Sequence, residues 1–196
     1  MLRQIFIAGL LVLLAACGSS PKTDFYMLNA DQESAVQAAN VGTGPAVGVW
    51  KVILPNLLDR SEIVTRDNQF KIKMGDFSWW ASSLAQNMTL LISAEMSQLL
   101  QSNRIVMSPW PSYRKNDYQV IVRVVRFDGE LGGEVVFRGL WTVLDGEATK
   151  ELNRQVFEFR VNTVDSTYQE MVAAMSKLTV QLAGQLADGI ISEEAR

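Results

Sequence analysis

The sequence predicts an α+β fold: a mostly antiparallel sheet with two long amphipathic helices packed on one face, a two-layer sandwich. Three observations predict it. Two long segments, one opening at Leu84 and one near Ser166, repeat apolar residues at helical spacing. Several short runs alternate apolar and polar residues and are bounded by Gly, Pro, Asn or Asp. The order is strands, helix, strands, helix, and each helix has a single apolar face that one side of a sheet can cover.

The elements follow from residue 1. Arg3 precedes an unbroken apolar or small stretch, Ile5 to Ala16. A membrane-spanning helix needs roughly 20 apolar residues, so this stretch is too short and has the flanks of a secretory signal peptide. It ends in Leu14-Ala15-Ala16-Cys17, and Cys17 is the single cysteine of the 196 residues. That pattern resembles a bacterial lipobox, in which cleavage falls before the cysteine and lipid is attached to its sulfur. A lone thiol in an oxidising compartment is a reactive liability without a partner, and acylation removes it. One acyl chain anchors only marginally; lipoprotein maturation normally adds three. Gly18 follows the cysteine, where an aspartate usually signals inner-membrane retention, so the resemblance favours the outer membrane. The expected organisation is a cleaved signal peptide over 1–16, a lipidated flexible tether over 17–24, a single domain over 25–192 and a frayed tail over 193–196.

Phe25 to Leu28 reads as a first strand and Asn29 to Gly44 as a loop. Val47 to Leu54 reads as a buried strand stopped by Pro55. Ile63 to Arg66 and Gln69 to Met74 flank Asp67-Asn68, a tight-hairpin signal. Ser82 or Ser83 is placed to cap the first helix. Its stripe is Leu84, Met88, Leu91, Ile92, Met96, Leu99 and Leu100, and Asn103 ends it. Ile105 to Met107 is a brief strand before Pro109 and Pro111. In Tyr118 to Phe127, the set Tyr118, Val120, Val122 and Val124 faces the core, and Gln119, Ile121, Arg123 and Val125 face away. Val135 to Leu144 and Gln155 to Val161 complete the sheet around an Asp145-Gly146 turn. The second helix, Ser166 to Ala187, carries Tyr168, Met171, Val172, Met175, Leu178, Leu182 and Leu186 on one side.

Composition excludes several function classes. The mature chain is long enough for one domain with a proper core. Cleavage removes Arg3 alone among the charged residues, so the formal net charge of −3 becomes −4. No basic block supports a nucleic-acid partner. The chain has no histidine, which removes Ser–His–Asp and Cys–His catalysis and the usual zinc sites. No catalytic residue, metal ligand or cofactor motif stands out. Asp67, Asp76, Asp128 and Glu134 are loop-region carboxylates from which a glycosidase pair would have to be drawn. Ser176 and Lys177 are adjacent on a helix and splay apart, which does not suit a Ser–Lys dyad. Gly129, Gly132 and Gly133 read as a hairpin turn. Trp79, Trp80 and Trp110 are the candidate contacts with a partner or a membrane surface, set against packing roles for the first two. Trp50 and Trp141 read as core. Met88, Met96, Met171 and Met175 read as core in preference to an adaptable binding face.

Together these segments resemble a known family, the PqiC-like ABC-type transport auxiliary lipoproteins. The resemblance is carried by the lipobox at Cys17, Phe25-Tyr26-Met27-Leu28, the strand ending at Pro55 and Trp80-Ala81-Ser82-Ser83-Leu84. It continues through Phe127-Asp128-Gly129, Gly139-Leu140-Trp141 and Tyr168-Gln169-Glu170-Met171-Val172. It implies a non-enzymatic auxiliary lipoprotein without cofactors, anchored at the periplasmic face of the outer membrane. It also implies a partner, an MCE-domain tunnel protein (PqiB-like), phospholipid as the transported matter, and assembly as a ring-like homo-oligomer. Two other readings share the anchor: an assembly or chaperone lipoprotein for another envelope component, and a carboxylate-dependent cell-wall hydrolase, which requires a cleft holding two acidic side chains.

Overall fold

The computed structural model describes residues 22–29 and 42–196. The lipobox and most of the expected 29–44 loop lie outside the described residues. Among the described residues, eight strands and two helices follow in chain order: β1 (Asp24–Tyr26), β2 (Val47–Val49), β3 (Glu62–Arg66), β4 (Ile72–Trp80), α1 (Leu84–Leu99), β5 (Ile105–Met107), β6 (Tyr118–Gly129), β7 (Glu134–Asp145), β8 (Glu151–Asn162) and α2 (Tyr168–Glu194). The fold is α+β.

The strands form two sheets where a single one was expected, of order β1-β4-β3 and β5-β2-β6-β7-β8. The long β6–β7 and β7–β8 pairs are antiparallel, but β1–β4, β2–β5 and β2–β6 are parallel. The inner face of the larger sheet presents Val120, Val122, Val124, Val135, Phe137, Trp141, Val143, Phe157 and Phe159, all buried in one core with α1 and α2. The expected alternation of β6 holds only to Val124. A bulge between Val124 and Arg126 resets the phase, so Phe127, on the outward side by simple alternation, is fully buried and packs against Phe137 at a centroid distance of 4.4 Å with the rings tilted by 47°. Gly139 makes room for this aromatic layer: a Cβ there would lie 2.8 Å from the Phe157 ring. Gly189 of α2 does the same for Trp141, whose ring would meet a Cβ at 2.9 Å.

Other expectations need correction. The Val47–Leu54 strand shrinks to β2 and a single parallel bridge from Ile53 to Arg123. The tight turn at Asp67-Asn68 is a longer loop, because the ladder closes at Arg66↔Ile72; Asn68 Oδ1 accepts the Phe70 and Lys71 N–H groups instead. Strand β4 runs on to Trp80, where mixed residues hid it. Ser83 sits at the N-cap of α1 without a side-chain capping bond. Leu99 is exposed while Leu100 is buried, since α1 ends there. The second helix is capped by the Thr167 side chain, which accepts the Glu170 N–H, and it continues past Ala187 through the expected tail to Glu194. All four helical methionines are core.

Candidate functional site

Cys17, the expected lipidation site, and Leu14, Ala15 and Ala16 of the expected lipobox lie outside the described residues. The chain enters the domain a few residues after them, through β1. That short strand is held in place from behind. Asn87 of α1 accepts the Leu28 N–H with Oδ1 at 2.6 Å and donates through Nδ2 to the Leu28 carbonyl at 3.3 Å. The Asn29 N–H reaches Ser176 Oγ at 3.1 Å. Ser176 in turn donates to the Val172 carbonyl, so its hydroxyl is engaged in structure and not aimed at a lysine.

Strand β1 pairs in parallel with the end of β4, Phe25 opposite Trp79 and Tyr26 opposite Trp80. Opposite residues share a face and neighbours alternate. Tyr26 and Trp80 therefore turn inward, Tyr26 against Tyr168 at 6.2 Å. Phe25, Phe77 and Trp79 turn outward, with Phe25 and Trp79 edge to face at 6.4 Å and 89°. Of the sequence candidates, Trp79 is thus on the surface at 36% exposure, while Trp80 is buried at 6% and leaves the set of contacts. Phe25, Met27 and Phe77 were missed; their outward direction becomes visible only once β1 is placed beside β4.

The remaining tryptophans exchange roles. Trp110, a candidate contact by sequence, is half-buried against Trp50, ring to ring at 5.1 Å. Trp50, expected in the core, is 42% exposed. Strand β2 stops at Val49, and the Trp50 indole N–H donates to Gln119 Oε1 at 2.8 Å, which holds the ring on the outer side. Trp141 is buried as expected.

The acidic candidates mostly meet basic partners. Asp67 is held by Lys71 and Lys73, and Glu134 pairs with Arg160. Asp128 is almost fully buried and ties the two sheets together. Arg66 of β3 grips it with two bonds, Nε to Oδ1 at 3.0 Å and Nη2 to Oδ2 at 2.7 Å, and Arg126 adds Nε to Oδ1 at 2.8 Å. Burial pushes the Asp128 carboxyl up, but the bonds and charges of the two arginines outweigh it and hold its pKa below the usual carboxylate value. Asp76 lies exposed on β4. A recess of about 390 Å³ at the start of α1 is lined by Asp59, Arg60, Ser61, Trp80, Ala81, Ser82 and Ser83. It holds one carboxylate, not the two that glycoside hydrolysis needs. Among the described residues no helix is long and apolar enough to cross a membrane.

The described residues thus form a small α+β domain with a buried structural core and basic partners on most of the carboxylates singled out by sequence. Residues 26–187 match the family of ABC-type transport auxiliary lipoprotein components, and the chain belongs to that family. It is therefore an auxiliary lipoprotein of a transport system. It is similar to the intermembrane transport lipoprotein PqiC of Escherichia coli (strain K12), with 25% identity over 178 residues, 90% of this chain and 91% of that one. Two solved structures share its fold. One is an uncharacterized protein, TM-score 0.70 at 20% identity, covering 87% of this chain and 99% of the other. The second is XCC0632 from Xanthomonas campestris, TM-score 0.67 at 12% identity, covering 89% and 100%.

Proposed function

We propose that the chain works as a non-enzymatic adaptor at the outer membrane, with lipid on Cys17 holding the domain against the periplasmic leaflet. There it docks the end of an MCE-domain tunnel protein (PqiB-like) and helps phospholipid pass between tunnel and membrane. The observation that carries this reading is the combination of family membership over residues 26–187 with a lipobox cysteine a few residues ahead of β1. The similarity to an intermembrane transport lipoprotein of Escherichia coli supports a transport role between membranes, and the cargo and partner are those that the family resemblance implies. Confinement to the membrane plane raises the effective concentration of the two partners and lets modest contacts suffice. The ring-like homo-oligomer implied by the resemblance fits a tunnel mouth, and belongs to the same proposal.

Crosslinking in intact envelopes followed by affinity capture of the lipoprotein tests it. Recovery of an MCE-domain protein is the expected result. Recovery of a different envelope client, reproducibly and without any MCE protein, overturns it in favour of an assembly lipoprotein.

A further inference from the structure

We propose that the outward face of the β1–β4 pair, formed by Phe25, Met27, Phe77 and Trp79, lies on the lipid surface and holds the domain in one orientation on the membrane. This rests on the anchor reading above and adds to it the surface that meets the bilayer. Phe25 is 64% exposed, Met27 57%, Phe77 44% and Trp79 36%. These four large apolar side chains come from two neighbouring strands and the residue that follows the first, and Phe25 and Trp79 are in ring contact. Apolar patches on a protein surface mark interaction sites. The opposite face of the same strands is inward and packed through Tyr26 and Trp80, so exposure of the outer residues is not a failure of packing.

The position of the patch in the chain says what covers it. Phe25 follows Cys17 by eight residues. A fully extended chain covers at most about 3.3–3.6 Å per residue, so the patch stands within roughly 29 Å of the acylated sulfur. Among the exposed apolar side chains of the described residues, Phe25 and Met27 are the nearest to the anchor along the chain. The residue types also favour a bilayer: aromatic rings, Trp above all, settle at the level of the lipid headgroups, with an apolar body toward the acyl chains and a polar edge toward water. At the border of the patch, Glu62 stands opposite Trp79 on β3 and is neutralised by Arg60, so that pair adds no net charge against an anionic surface. A weak contact is sufficient here, since the lipid already confines the domain to the surface.

Spin labelling of the full mature lipoprotein tests the proposal. Cys17 is the only native cysteine and its sulfur is occupied by lipid, so Phe77→Cys supplies a single thiol for a nitroxide. Phe25→Cys is a second reporter in the patch. Val156→Cys, on an exposed position of β8, is the reference. Each labelled protein is reconstituted into vesicles of phosphatidylethanolamine and phosphatidylglycerol. After flotation, collisions of the nitroxide with oxygen and with a water-soluble nickel complex are measured. The expected result is an oxygen-to-nickel ratio several-fold higher at positions 77 and 25 than at 156. Flotation with fully aqueous labels at 77 and 25 overturns the membrane contact and leaves the anchor standing. Flotation with both labels shielded from both reagents also overturns it and assigns the patch to a second copy of the chain. Protein that stays at the bottom of the gradient overturns the anchor reading itself, and this inference with it.

Discussion

The Asp128 clamp gives the sharpest prediction about how the fold is held. The substitution Asp128→Asn keeps the size of the side chain and removes its charge. It also turns an amide NH2 toward the guanidinium groups of Arg66 and Arg126, donor against donor. Three charge-assisted bonds meet at this carboxylate, which is 3% exposed, while the Arg66 and Arg126 side chains keep 19% and 29% of their exposure. Removing one partner of a buried pair costs about 3–5 kcal/mol. The arginines can rehydrate in part, which puts the loss at the lower end, about 3 kcal/mol. For a domain of this size that lowers Tm by roughly 6–12 °C. The pH dependence has a definite sign. A carboxylate whose folded pKa is depressed contributes stability that is present above its unfolded value, near 3.9, and lost as pH falls through the folded value. The gap between wild type and Asp128→Asn is therefore widest near neutral pH and closes under acid. Urea or thermal unfolding from pH 7 to pH 3 measures it, with Lys73→Ala at the exposed Asp67 pair as a control that leaves Tm where it is. A variant as stable as wild type at pH 7, or a gap that persists unchanged at pH 3, refutes the clamp.

Other parts of the molecule carry predictions of their own. Asn87→Leu leaves the buried Leu28 N–H and carbonyl unpaired, at about 1–3 kcal/mol for each orphaned group, and amide exchange over residues 24–29 accelerates ahead of the rest of the domain. Trp141→Ala empties the space between β7 and α2 and costs about 3–5 kcal/mol in chemical denaturation. Gly189→Val forces a side chain into the Trp141 ring, and a loss of about 1–3 kcal/mol is expected in the same assay. Cys17→Ser removes the proposed site of lipid attachment, and the expected result is a shift of the protein from the membrane to the soluble fraction of a cell extract.

Much of the fold was legible because burial repeats at fixed periods. The stripe of α2 from Tyr168 to Leu186 and the Val120-Val122-Val124 set of β6 declare themselves in this way. What escaped depends on contacts distant in sequence. The bulge after Val124 changes which face Phe127 takes, and no local residue announces it. In β4, Gly75 and Asp76 interrupt the apolar pattern, so the strand beyond Met74 is invisible until β3 and β1 flank it. Trp50 reads as core inside VGVWKVIL, yet the strand stops one residue earlier and a bond to Gln119 holds the ring outside. The surface patch was legible only in part. Trp79 stood out as a residue type, but Phe25 joins it through a parallel pairing that sequence spacing does not encode, and Phe77 shares its face only because β4 runs on to Trp80. The likeness to an auxiliary lipoprotein was readable from motif order, and the structure gives several of those motifs a physical reason: Asp128 clamps two sheets, Gly139 admits Phe157, and Tyr168 closes over Tyr26.

The proposed tethered role requires an envelope protein whose first residue is Cys17, with its sulfur acylated. Intact-mass spectrometry of the protein extracted from cell envelopes tests this directly. The predicted result is a chain beginning at Cys17 with the added mass of a lipid group on its sulfur and fatty acyl chains. A chain that retains residues 1–16, or one that carries an unmodified thiol, contradicts it.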